Sequence, residues 1–296
     1  NIGYVNMMRG HYSKAEKYLQ DGLSLFSQLR LTANSAHSMG NLGYLHFCQG
    51  AYLQASDYYE RAEKIYSTIN EHRGYGYILN SRAELEIINR SFKQALSYAE
   101  QALAIGRDKN LPALEVAALL TTGKSLFNLG QLEEAKKAYN DVLAHSQSTL
   151  EKSPSVRSLV GLAQIACENQ NEQQLKAYVD AILQQLESIP LYARAQMAEI
   201  CFVCYRCLIM LRDERGLELL SKAYFFLQDE AKKIETSTMK ESFLNNVLIH
   251  AEIIQEYEKL QNRFRAGADL PKLTKREQEI LSTLVAGLSN QEISDR

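Results

Sequence analysis

Apolar and small residues recur along the chain in a pattern that repeats about every 40 residues. Short turn-like stretches stand at residues 9–12, 49–52, 89–92 and 129–132. A small residue precedes each turn, and an alanine follows it, at Gly3 and Ala15, Gly43 and Ala55, Ala83 and Ala95, and Gly123 and Ala135. Glycine at a helix end adopts the positive φ that ends the helix, and small residues let two helices approach closely. The pattern therefore predicts successive pairs of antiparallel helices.

The pattern continues more weakly beyond residue 150. Pro112, Pro154 and Pro190 stand where the first helices of the fourth, fifth and sixth pairs should begin. Proline is tolerated in a first helical turn because its missing N–H is not needed there. For Ser153, the sequence predicts an N-cap before Pro154 at the first helical position. We therefore predict an all-α solenoid of about six helical hairpins in residues 1–228.

A different pattern follows in residues 229–265. Apolar residues spaced three or four apart predict one long helix over 238–264, through Phe243, Val247, Leu248, Ala251, Ile254, Tyr257 and Leu260. This helix should cap the open end of the solenoid, which otherwise exposes an apolar face. Residues 265–271 then predict a linker.

The hairpin pattern resembles the tetratricopeptide repeat. The second and fourth hairpins carry the resemblance best, at Gly43, Gly50, Tyr52, Ala55, Tyr59 and Ala62, and at Gly123, Gly130, Leu132, Ala135 and Tyr139. The usual period of that repeat is about 34 residues, so the helices or loops here should be longer. The resemblance implies a superhelix with a concave groove.

The segment 272–296 predicts two short helices. Thr274 with Glu277, and Ser289 with Glu292, are capping boxes, and Gly287 separates them. The segment resembles the start of a LuxR/FixJ-type helix-turn-helix, and the chain stops before the base-reading helix of that family. The resemblance implies phosphate contacts from Lys275, Arg276, Ser289, Asn290 and Gln291.

Together, repeats of this length and a LuxR-type end resemble the MalT-like bacterial transcriptional regulators. The resemblance implies a cytoplasmic regulator whose repeat domain binds an effector or a protein partner and controls self-association. It also implies an upstream NTPase module and DNA binding by a complete parent protein. We expect the chain to be an excerpt of such a protein, beginning inside a repeat and ending inside the DNA-binding unit.

Composition adds several exclusions. The net charge is −2, which gives no global basic excess of the kind that marks nucleic-acid binders. There is no apolar run long enough for a transmembrane helix. Thr122-Gly123-Lys124-Ser125 lacks the earlier glycine of a phosphate loop, and no catalytic pattern is present, so we expect neither an enzyme nor a cofactor.

The cysteine series Cys201-x-x-Cys204-x-x-Cys207 places three thiols on one face of a helix. A closed zinc site needs a fourth ligand, and the nearest histidine in sequence is His250. Cys204 also occupies the small-residue position of its repeat. Buried packing is therefore the expected role, and a metal site is the alternative.

The candidate ligand groove follows from the first helix of each hairpin, which lines the inside of a solenoid. The groove candidates are Tyr44, Tyr77, Asn80, Glu84, Lys124, Arg157, Gln164 and Tyr205. This mixture of aromatic, charged and amide side chains suits a polar small molecule or an extended peptide. The alternative is a solvated surface in which Glu84 and Lys124 compensate each other.

These observations favour the sensory and oligomerisation domain of a DNA-binding regulator. Two other functions stay open at this point. One is a protein-interaction scaffold with no DNA role, in which the C-terminal resemblance is accidental. The other is a peptide-sensing repeat receptor.

Overall fold

A computed structural model describes residues 2–146, 153–186 and 196–265. Within these ranges it contains fourteen α-helices and no strand. Twelve helices form six antiparallel hairpins, which confirms the all-α solenoid. Hairpins 1 to 6 are α1 (Ile2–Met8) with α2 (Tyr12–Gln28), α3 (Thr32–Cys48) with α4 (Tyr52–Ile69), α5 (His72–Ile88) with α6 (Phe92–Asp108), α7 (Pro112–Asn128) with α8 (Leu132–Ser146), α9 (Ser153–Glu168) with α10 (Glu172–Leu186), and α11 (Met197–Met210) with α12 (Arg215–Lys232).

The small residue before each turn has the predicted role of bringing two helices together. A Cβ atom on Gly43 of α3 would lie 2.6 Å from the Tyr59 ring of α4. The same atom on Gly123 of α7 would lie 2.8 Å from the Tyr139 ring of α8. Both tyrosines are buried. Each glycine therefore creates the space that a large aromatic residue fills, and this contact fixes the angle of its hairpin.

Left-handed backbone marks the described turns, as predicted for the glycines. Gly10, Gly50 and Gly130 have φ values of 76°, 72° and 77°. At the remaining described turns the residue with a positive φ is not glycine, and these residues are Arg30, Asn70, Arg90, Asn110, Gln170 and Arg212. Arg90 lies in the predicted turn at residues 89–92, but a positive φ at these six positions was not predicted, because side chains other than glycine rarely adopt this conformation.

The prolines mark helix starts where the structure describes them. Pro112 is the first residue of α7. α9 begins at Ser153, so Pro154 is the second residue of the helix rather than the first. Pro190 lies outside the described residues.

The predicted single helix over 238–264 is wrong, because two helices occupy this region. α13 (Ser237–Asn245) and α14 (Leu248–Arg265) are separated at Asn246 and Val247. The ring Nδ1–H of His250 donates to the Phe243 carbonyl oxygen at 2.7 Å. A continuous helix would use that carbonyl for the N–H of Val247. Because the break rotates the second segment, Ile253 is fully buried instead of Ile254, and Leu248 is exposed.

The first helices of the hairpins form an inner layer. α5 contacts α7, α7 contacts α9 and α9 contacts α11, in addition to the partner of each within its hairpin. α14 packs on α12 and α11, at the end of the repeats. The division into domains at residues 228 and 265 stays a prediction.

Candidate ligand groove

The groove candidates on three different hairpins meet on the inner layer. Tyr44 lies on α3, Glu84 on α5 and Arg157 on α9. The Arg157 guanidinium forms an ion pair with the Glu84 carboxylate at 3.6 Å. Their side chains are 38% and 24% exposed, so water still reaches the pair. The alternative of a solvated surface paired Glu84 with Lys124, but the structure pairs Glu84 with Arg157 instead.

Tyr44 stays an uncharged hydrogen-bonding group beside this pair. The neighbouring Cys48 thiol, burial and the Glu84 carboxylate raise the pKa of Tyr44 well above its ordinary value, while Arg157 lowers it. Burial raises the pKa of Cys48 to about 12, and the Tyr44 hydroxyl donates a hydrogen bond to its sulfur. At neutral pH Tyr44 and Cys48 are therefore uncharged neighbours of the Glu84–Arg157 ion pair.

A recess opens next to Arg157. Its empty space is about 520 Å³, including the part open to solvent. The lining residues come from α7, α8, α9 and the start of α11, and they are Leu120, Lys124, Tyr139, Arg157, Val160, Gly161, Gln164, Gln196, Glu199 and Ile200. Three sequence-predicted residues, Lys124, Arg157 and Gln164, thus share one concave space.

Charges of both signs line this recess. Lys124 and Glu199 are exposed, and neither forms an ion pair with another described residue. The amide side chains of Gln164 and Gln196 supply both hydrogen-bond donors and acceptors. Glu199 and Gln196 were not among the predicted groove residues. The sixth hairpin is shifted by one position in the repeat register, and with that shift Glu199 corresponds to Ser158 of the fifth hairpin, which is buried.

Asn80 lies on α5, one helical turn before Glu84. Its side chain is 8% exposed, and its Oδ1 has no hydrogen-bond partner among the described residues. A buried amide oxygen without a partner costs stability, so its presence calls for an explanation. A ligand or a water with an N–H or O–H donor would satisfy it.

The remaining two groove candidates have other contacts. Tyr77 is half-buried and packs against the apolar cluster around Leu79 and Leu114. The hydroxyl of Tyr205 donates to the Glu256 carboxylate of α14 at 3.4 Å. The structure therefore places these residues at the margins of the groove, outside the recess.

The predicted DNA contacts Lys275, Arg276, Ser289, Asn290 and Gln291 lie outside the described residues. Thr122-Gly123-Lys124-Ser125 is part of α7, where Gly123 packs on a tyrosine ring. Cys201, Cys204 and Cys207 are buried in the main apolar cluster. In the described part of the chain, histidine, cysteine and acidic side chains form no group suited to a metal ion.

Comparisons with known families agree with both ends of the chain. A tetratricopeptide repeat model matches residues 1–68, and a model of bacterial regulatory proteins of the luxR family matches residues 271–296. The chain joins tetratricopeptide repeats to a LuxR-family regulatory segment. Both are non-enzymatic kinds of protein. A tetratricopeptide-type region therefore precedes a LuxR-type segment in this chain.

Several solved structures share the fold at low sequence identity. A Rap protein complexed with Competence and Sporulation Factor is 15% identical, with a TM-score of 0.61, over 87% of this chain and 74% of that one. NprR in complex with its cognate peptide NprX is 18% identical, with a TM-score of 0.60, over 92% and 78%. The apo form of the quorum sensor NprR from B. thuringiensis is also 18% identical, with a TM-score of 0.56, over 93% and 77%.

None of the curated proteins compared with the sequence matches it. Among the described helices, none combines the length and the apolar character that crossing a bilayer requires.

Proposed function

We propose that the repeat domain senses a short peptide in its concave groove and thereby controls a cytoplasmic DNA-binding regulator. The observation that carries this proposal is the arrangement of Lys124, Arg157, Glu84 and Asn80 on the inner layer. It combines cations, a carboxylate and a buried amide in one groove. NprR, which has the same fold, was solved with its cognate peptide.

A peptide suits this groove better than a uniformly charged or an apolar ligand. A peptide backbone alternates N–H donors and C=O acceptors, and the amides of Asn80 and Gln164 supply both partners. Its carboxylates would be matched by Lys124 and Arg157, and its cationic groups by Glu199. A neutral oligosaccharide offers hydroxyls but no carboxylate for the two cations.

In the LuxR-type segment, Lys275, Arg276, Ser289, Asn290 and Gln291 are proposed to contact DNA phosphates. Their role would be to position the unit on the duplex rather than to read bases. The effector would bind two conformations of the repeat domain with different affinity, and this difference would shift self-association and DNA binding.

Titration calorimetry of the 296-residue chain tests the groove. The ligands are pools of random hexapeptides and, separately, a panel of linear oligosaccharides. We expect heat with one or more peptide pools and loss of that heat in Arg157→Gln and Lys124→Gln. The matched control is Lys137→Gln, which removes an exposed lysine from α8 and should leave binding unchanged.

If only oligosaccharides gave heat, the effector would be a sugar rather than a peptide. Equal loss in Lys137→Gln would show that net charge rather than the groove matters. No heat with any ligand would contradict the sensory role.

A further inference from the structure

The two ends of the repeat array touch each other. The turn of hairpin 2 packs against α13, about 190 residues further along the chain. The Ser242 hydroxyl donates to the Gln49 carbonyl oxygen at 2.7 Å. The Asn246 amide donates to the Gly50 carbonyl oxygen at 3.4 Å and to the Ser242 hydroxyl at 3.0 Å.

The turn of hairpin 1 makes a second part of the same contact. A Cβ atom on Gly10 would lie 2.5 Å from a carboxylate oxygen of Glu230 and 2.8 Å from the Lys233 Cδ atom. The buried ring of Tyr12 lies 6.3 Å from the ring of Phe243, measured between centroids. Residues of hairpins 1 and 2 and residues of α12 to α14 accordingly belong to one apolar cluster.

Gly130 shows that the tight packing is a property of the contact and not of the turn. It has φ +77°, against φ +72° for Gly50, and it occupies the same position in its hairpin. A Cβ atom on Gly130 would have no neighbour within 4 Å, whereas on Gly50 it would lie 2.9 Å from Asn246 Cβ and from the Ser242 carbonyl oxygen. The turns of hairpins 1 and 2 therefore leave no space for a side chain, whereas the turn of hairpin 4 does.

A contact between the ends of a solenoid depends on every hairpin between them. Each hairpin adds a small rotation, and these rotations accumulate along the array, so a slight change in the middle moves the ends by much more. Glu84, Lys124 and Arg157 lie on hairpins 3, 4 and 5, in the middle of the array. α14 lies at its end and leads directly into residues 266–296.

From these relations we infer that the end-to-end contact is a conformational switch. When it is closed, the turns of hairpins 1 and 2 hold α13 in one orientation. When it opens, α13 is released from these turns. The polar part of the contact consists of few hydrogen bonds, which suits a contact that opens. Its coupling to a ligand rests on the proposed function, but the contact itself does not.

Hydrogen exchange with mass spectrometry, together with small-angle X-ray scattering, tests the contact in the 296-residue chain. We expect Gly50→Ala to accelerate exchange in residues 237–250 about tenfold and to increase the radius of gyration. Gly130→Ala introduces the same left-handed alanine in open space and should change neither quantity in that region. Equal effects of the two substitutions would overturn the switch.

Two further variants keep the test decisive. If Gly50→Ala does not fold, the pair Ser242→Ala and Asn246→Ala removes the hydrogen bonds without backbone strain and should give the same local acceleration. Glu84→Gln breaks the ion pair in the groove and should alter exchange in residues 237–250 if groove and contact are coupled. No change there would overturn the coupling, while failure of peptide binding alone would overturn only the sensory function.

Discussion

Arg157 on α9 reaches across the groove to Glu84 on α5, skipping the hairpin between them, and their charged groups lie 3.6 Å apart. The pair joins residues that are 73 positions apart in the sequence. It places an arginine and a carboxylate in the space that a ligand would enter. An acidic group of a ligand would compete with Glu84 for Arg157.

This ion pair should contribute little to stability. Both side chains are partly exposed, and solvated pairs contribute about 0–1 kcal/mol. We expect a double-mutant cycle of Glu84→Gln and Arg157→Gln, measured by urea unfolding, to give a coupling energy below about 1 kcal/mol. A coupling energy above about 2 kcal/mol would mean that the pair is a structural element of the fold rather than part of a ligand site.

The glycine of hairpin 2 should be essential for packing. Gly43→Ala places a methyl group 2.6 Å from ring carbons of the buried Tyr59, so the chain should lose about 1–3 kcal/mol of unfolding free energy. Gly22→Ala is the matched control, because its nearest neighbour in α2 would be 3.7 Å away. Alanine there should stabilise the helix by about 0.5–1 kcal/mol. Chemical denaturation of both variants measures the difference, and equal effects would contradict the packing role.

Acid should destabilise the C-terminal helices through His250. Burial lowers the pKa of His250, while its bond to Phe243 and the Glu199 carboxylate partly offset this. The unfolded chain, with a pKa of about 6.5, then binds more protons than the folded chain below that pH. Stability should therefore fall as the pH drops from about 7.5 to about 5.5. His37 and His46 act in the same direction, because burial lowers the pKa of both.

His250→Asn separates this contribution from the others. The asparagine amide takes the place of the ring N–H but does not titrate, so urea midpoints at the two pH values should differ less than in the unsubstituted chain. An unchanged pH dependence would assign the effect to other groups.

The cysteines should differ in reactivity. Burial raises the pKa of Cys201 and of Cys207 to about 12, and that of Cys204 as well. Burial also raises the pKa of Cys167, but this thiol is only half-buried and is therefore more accessible. Because the thiolate is the reactive form, iodoacetamide at about pH 8 should modify Cys167 first and the three buried thiols only after unfolding. Peptide mass spectrometry over time measures the order, and early modification of Cys204 would contradict a packed, metal-free role.

The features that could be predicted from the sequence depend on residues close together in the chain. The pairs Gly43 with Tyr59 and Gly123 with Tyr139 are formed within one hairpin, so their spacing in the chain already specifies which atoms meet. The same spacing within a hairpin predicts the turns and the start of α7 at Pro112. It also predicts the inner position of Glu84, Lys124 and Arg157. The LuxR-type resemblance was equally visible in a short stretch of sequence, and a family model matches it.

Contacts that depend on the accumulated rotation of many hairpins appear only in the tertiary structure. The alternative of a solvated surface paired Glu84 with Lys124, the nearest opposite charge in the repeat register, but the superhelix brings Arg157 to Glu84. The apolar spacing also predicted a continuous helix where His250 interrupts the backbone hydrogen bonds and Asn246 reaches Gly50. The rotation between successive hairpins is set by the packing of all their side chains, and it accumulates along the array. Contacts between distant hairpins are therefore not encoded in any local pattern.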